Sequence, residues 1–238
     1  MSEWKARRFW TEARATETDA GFGVALDGRP VKTPAKSPLV LPSRALAEAV
    51  AAEWDAQEGE VRPATMPLTR AANAAIDKVA VQHAEVAAML AAYADSDLLC
   101  YRAESPQALV VRQAAAWDPL LDWAAGTFGA RLVPVTGVMY TPQDPEALHR
   151  LAGPVHAMDA FTLTALHDLV GLSGSLVLGL AAVHEAEEIG KLWHLSRIDE
   201  TWQEEQWGVD EEARAQAEVK ESEFRAAKRF HDLSHGRS

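Results

Sequence analysis

Strand-sized apolar runs, prolines and one amphipathic helix pattern follow each other between Leu26 and Arg70 with almost no spare sequence, and this stretch constrains the fold most tightly. Phe22-Gly23-Val24-Ala25-Leu26 is a short β run closed by Asp27-Gly28, a dipeptide suited to a tight turn because glycine tolerates positive φ. A hairpin is expected, returning through Val31-Lys32-Thr33. After a proline-bounded loop, Leu39-Val40-Leu41 forms another strand-sized run ended by Pro42. Ser43 then suits a helix N-cap, and Leu46, Val50 and Trp54 recur every four residues, with Gly59 just past the end. An amphipathic helix laid on the strands follows, with Trp54 as a structural anchor. Arg29 and Lys32 flank the turn and present polar groups there.

Strand signals are concentrated before Pro42, and the remainder is largely helical. The expected class is α+β: a small β-rich N-terminal domain with a packed helix over residues 1–62, then a larger mainly α-helical domain over residues 63–238. The boundary is set near Val61-Arg62-Pro63, where Thr65 reads as an N-cap and Pro67 as a first-turn residue ahead of Leu68, Ala72, Ile76 and Val79. Further helices are expected over residues 83–94, 107–128 (bent by Pro119), 145–156, 160–171, 174–184 and 187–207. Residues 132–140 read as an irregular strand. The last helix, 210–231, begins with Asp210 at the cap and carboxylates in its first turn, but carries few large apolar groups besides Phe224 and Phe230. Such a helix is either loosely docked or ordered by a partner.

A formal net charge of −12 argues against a broad nucleic-acid surface, which needs clustered cations, and favours a basic or neutral protein partner. The single cysteine, Cys100, excludes an internal disulfide framework and fits a reducing cytoplasm; within Leu-Leu-Cys-Tyr it reads as an inert core thiol. The first residues show no apolar run of a signal-peptide kind. The most apolar segment, Leu176 to Val183, falls short of the ~20 residues that cross a bilayer, so membrane insertion is not expected.

No glycine-rich loop ending in Gly-Lys-Ser/Thr is present; Gly171-Leu172-Ser173-Gly174-Ser175 lacks the lysine and leads into apolar sequence. His184, Glu188 and His194 share a helical phase, but three such ligands are too far apart along one helix to meet at one ion. His167-Asp168 lacks the Gly-x-Ser-x-Gly turn that would signal a nucleophile elbow. The chain therefore reads as a non-enzyme with no catalytic residues, cofactor or metal. A small-molecule hydrolase with a His/carboxylate site in the helical domain, using His167 or His184, is the alternative from another class.

The strongest non-catalytic feature is Glu185 to Glu212, with ten Asp or Glu residues against Lys191 and Arg197, punctuated by Trp193, Trp202 and Trp207. Charge of one sign speeds encounter with a complementary surface, and tryptophan offers a large contact area with few rotors to immobilise. Taken alone, the same residues also describe a solvated helix face with packing tryptophans. A general protein-interaction module fits them as well.

Arg8-Phe9-Trp10, the LDGRPVKTP, PLVLPSRALAEAVAAEWDAQ and PATMPLTR segments, and Ser196 to Gly208 with Trp202-Gln203-Glu204-Glu205-Gln206-Trp207-Gly208 together resemble the F1-ATPase assembly chaperone family. The resemblance covers about Arg8 to Gly208 in separated blocks. It implies a chaperone that binds the free F1 α subunit and prevents its aggregation until α pairs with β. It also implies Glu200, Glu204 and Glu205, taken as a group with Trp202 and Trp207, as partner-binding residues. The first block begins within ten residues of the start, leaving no room for a transit peptide. A bacterial, cytoplasmic member is expected, where eukaryotic relatives would act in the mitochondrial matrix.

Overall fold

The computed structural model describes residues 7–137 and 139–237, which pack as two compact units. The first comprises residues 7–82, 159–165 and 229–237. Strands β1 (Ala13–Thr18), β2 (Gly21–Leu26) and β3 (Arg29–Pro30) form an antiparallel sheet in chain order. Asp27 and Gly28 make the expected two-residue turn, with φ of 46° and 80°. The Asp27 carboxylate accepts the backbone N–H groups of Thr11 and Glu12, each at 3.0 Å, and these bonds hold its pKa below the ordinary value. Two strand expectations are corrected. The returning strand is Arg29–Pro30, with Lys32 making only a single bridge to Pro38, and Leu39–Leu41 is tied to β2 by one bridge between Phe22 and Leu41. Gly21 permits that bridge, since a Cβ there would lie 2.7 Å from the Leu41 carbonyl oxygen. β1 escapes sequence reading because its alternation sets alanines, with no large apolar groups, against Arg, Thr and Glu.

Helix α1 (Arg44–Asp55) starts where Ser43 Oγ accepts the Leu46 N–H at 3.0 Å. Its buried face, with Leu46 and Val50, meets Val24, Leu41 and Leu68, and Phe230 and Leu233 from the chain's far end complete this core. Ser43 Oγ also donates to the Leu233 carbonyl. Arg8 ties the start of the described chain to the end of α1, donating to the Gln57 carbonyl at 2.9 Å and the Asp55 carboxylate at 3.0 Å. Helix α2 (Pro67–Ala74) is not capped by Thr65, which lies in a preceding 3-10 turn, Pro63–Thr65. Glu53 of α1 takes that role: its carboxylate accepts the Leu68 and Thr69 N–H groups, both at 2.8 Å, and the Thr69 hydroxyl at 2.7 Å.

The second unit comprises residues 83–158 and 166–228. It contains α3 (His83–Ala91), β4 (Tyr101–Arg102), α4 (Gln107–Phe128), β5 (Val135–Thr136), α5 (Pro145–Ala157), most of α6 (Ala160–Ser173), α7 (Leu176–Val183), α8 (Ile189–Leu195), α9 (Ile198–Trp207) and most of α10 (Glu211–Ser234). The irregular strand expected over 132–140 reduces to β5, paired in parallel with β4; Val138 lies outside the described residues. Asp97 is fully buried, and its carboxylate accepts the Leu99 and Val177 N–H groups, both at 3.0 Å, joining a 3-10 turn to the start of α7. Gly179 lets α7 press on α6: a Cβ there would lie 2.6 Å from Val170 Cγ2. The single helix expected over 187–207 is two, because α8 ends where Ser196 Oγ donates back to the Trp193 carbonyl at 2.7 Å and the chain re-enters helix at Ile198. The class is α+β, as expected. Among the described residues no helix is long and apolar enough to cross a membrane.

Candidate functional site

Helix α9 carries the candidate glutamates, and α4 holds it from one side. Gln113 of α4, 1% exposed, donates Nε2 to Asp199 at 2.6 Å while its Oε1 accepts the Ala103 N–H at 2.9 Å, so both ends of a buried amide are satisfied. One turn further along α4, Trp117 Nε1 donates to the Leu195 carbonyl at 2.8 Å. Arg112, beside Gln113, donates to both carboxylate oxygens of Glu205 at 2.9 and 2.8 Å, and its guanidinium carbon lies 4.9 Å from the Trp202 ring centre. The hydrogen bonds to Glu205 raise the Arg112 pKa, and the same bonds lower that of Glu205. Asp199, Trp202 and Glu205, spaced by three, thus make the side of α9 that faces α4.

The other predicted residues lie differently. Glu200 pairs with Arg197 at 2.9 Å, one turn earlier. Glu204 makes no side-chain hydrogen bond or ion pair among the described residues. Trp207 stands 79% exposed at the end of the helix, next to exposed Val209 and the acidic Asp210, Glu211 and Glu212. Asp210 caps α10 as expected, accepting the Glu212 N–H at 2.9 Å. Beyond it the first ten residues of α10 are exposed all round except for partly covered Ala217. The predicted set therefore divides into an engaged pair, Trp202 and Glu205, and an open group, Glu204 and Trp207, with Glu200 in a local surface pair.

Trp54 lies partly buried at the end of α1, edge-on to Trp10 with ring centres 5.3 Å apart. The indole N–H groups of Trp10 and Trp54 are both buried without an acceptor among the described residues. His184 packs against Phe128 and Trp123, with ring centres 5.3 and 6.1 Å away. Among the described residues His167 pairs only with its neighbour Asp168, at 3.0 Å, and this bond raises its pKa. Among the described residues no three His, Cys, Asp or Glu side chains gather as a metal would need. Sequence reading missed Asp199, Arg112 and Gln113. The spacing of three from Asp199 to Trp202 to Glu205 carried a usable signal; the two α4 residues carried none, because their partners lie some ninety positions away.

Residues 7–125 match the sequence profile of the ATP12 chaperone protein. The structure superposes on Atp12 from Paracoccus denitrificans with a TM-score of 0.94 at 51% identity, covering 98% of this chain and 100% of that one. The chain belongs to the ATP12 chaperone family. Another solved structure, that of the Atu1473 protein from Agrobacterium tumefaciens, is 42% identical with a TM-score of 0.91, covering 95% of this chain and 85% of that one. The fission-yeast relative, the mitochondrial protein atp12 of Schizosaccharomyces pombe, is 24% identical over 219 residues, 87% of this chain and 75% of its own. ATP12 membership makes this an F1-assembly chaperone, the family that the separated sequence blocks resemble.

Proposed function

We propose that this chaperone binds the free α subunit of F1-ATPase, covers its unpaired interface, and yields it when β arrives. An unassembled subunit exposes apolar surface that self-associates, and a holder that binds only that state lowers the free population liable to aggregate. Release needs no nucleotide: β displaces the holder if the α–β pair is the more stable complex. The observation that carries this reading is α9, an acidic helix with a glutamate unpaired among the described residues and a protruding tryptophan, in a chain 51% identical to Paracoccus Atp12 over nearly its whole length. Glu200, Glu204 and Glu205 supply the field that attracts a basic client, Trp202 and Trp207 the contact area. The compartment is the bacterial cytoplasm.

Size-exclusion chromatography with light scattering tests this directly. The protein mixed with isolated F1 α should elute as a defined complex that transfers α when β is added, and turbidity of α alone should fall at stoichiometric chaperone. Absence of a complex together with undiminished turbidity rejects the reading. Charge reversal at Glu200, Glu204 and Glu205 together should weaken the complex while far-UV circular dichroism stays unchanged. Undiminished binding removes α9 from the proposal.

A further inference from the structure

Arg112 is recognised twice over. Its fork satisfies both oxygens of Glu205, at 2.9 and 2.8 Å, and its flat face lies on Trp202 at 4.9 Å. That combination selects a guanidinium over an ammonium, which has no planar fork and no π-face to offer the indole. The pair is also accessible, with side chains 38% and 45% exposed, so it can open by side-chain rotation alone. The attachment of α9 to α4 does not depend on it alone, because Gln113 with Asp199 forms a separate anchor and Trp117 with Leu195 fixes the end of the preceding α8. Beside the pair, Glu204 adds a negative charge that has no cationic partner among the described residues.

We propose that Glu205 and Trp202 form a guanidinium subsite, filled by Arg112 in the free protein and entered by an arginine side chain of the client in exchange. The identity of the client rests on the reading given under the proposed function; the subsite does not. Exchange of one guanidinium for another leaves the carboxylate and the indole satisfied throughout, so entry avoids stranding a charge. Arg112 remains tethered at high effective concentration and competes for return, which favours release when another subunit pulls the client away. Its occupancy lowers apparent client affinity by the fraction of time that the subsite is filled.

Two measurements on the full chain decide the matter. The first titrates Arg112→Ala with methylguanidinium, and separately with methylammonium, following the Trp202 indole N–H by nitrogen-15 NMR. A saturable shift is expected with methylguanidinium, at least roughly five-fold weaker with methylammonium. It should vanish in the unaltered protein, where the subsite is filled, and in Arg112→Ala/Glu205→Gln. An equal response to both ions, or none, overturns the subsite. Arg112→Gln replaces Arg112→Ala should the latter fail to fold by circular dichroism. The second measures binding to isolated F1 α. Arg112→Ala should bind about five- to ten-fold more tightly, as removal of an internal competitor requires. Trp202→Ala and Glu205→Gln should bind more weakly. Arg131→Ala, which frees Asp122 and changes net charge equally, should stay within about two-fold. Unchanged or weaker binding by Arg112→Ala overturns the exchange. If methylguanidinium fills the vacated subsite while F1 α binds no form of the protein, the fault lies with the α-subunit reading and the subsite stands.

Discussion

Asp97 is a fully buried carboxyl group, and burial pushes its pKa up to about 6 from an ordinary 3.8, against the lowering pull of hydrogen bonds from Ser175, Val177, Leu99 and Leu176. Because the folded pKa lies above the unfolded one, the folded chain binds this proton more readily. The group's contribution to stability is therefore full below about pH 4 and lost as pH rises through about 6, by about 3 kcal/mol for a shift of this size. Carbon-13 NMR of the Asp97 carboxyl should give a titration midpoint near 6; a midpoint of 4 or below would remove the effect. Its neighbour Cys100 is buried too, and burial reinforced by the Asp97 charge pushes the thiol up to about 12, leaving no thiolate for chemistry at neutral pH. Cys100 was legible as a core thiol from its apolar neighbours. Asp97 was not, because a lone aspartate reads as solvated, and the N–H that it accepts from Val177 comes from eighty residues away.

Among the elements, α2 illustrates how a helix start can be built from another helix. Pro67 opens it and no local side chain caps it; the Glu53 carboxylate reaches across from α1 to two of its orphan N–H groups and to Thr69 Oγ1. Glu53→Ala should lower stability by about 1–2 kcal/mol in urea unfolding, with Glu53→Gln intermediate. Indistinguishable unfolding midpoints for the three proteins would refute the cap. At α7 the constraint is space. Gly179→Val places new methyl groups where Val170 and Leu166 already sit, at 2.6 and 3.0 Å from the first added carbon, and should cost about 1–3 kcal/mol of stability by the same assay. Helix α4 was readable end to end, from Gln107 after Pro106 to Phe128 before Gly129, because punctuation and periodicity agree there. The break between α8 and α9 was not readable, since the sequence around Ser196 and Arg197 carries no proline or glycine to mark it.

For the molecule as a whole, the first unit's core uses Phe230 and Leu233, from the opposite end of the chain to its sheet. Helix periodicity marks those residues as inward-facing but is silent on what they face, so the return of the last segment was invisible in the sequence while the α+β class was plain. The candidate site shows the same limit: the acidic helix was legible, whereas its cationic partner, far away on α4, was not. Helix α10 is uneven along its length, with residues 211–220 surrounded by solvent and Phe224, Ala227, Phe230 and Leu233 buried. Hydrogen exchange should accordingly be fast over 211–220 and slow over 224–233, with the early segment slowing when a client covers it. Uniform protection along α10 would contradict this gradient. The exposed half also holds Arg214 and Lys220, two sites for trypsin. A cut there would release no fragment from the native protein, because the C-terminal piece still has its three buried aromatic and leucine anchors, so the chaperone should tolerate being assembled by complementation from two separately made polypeptides.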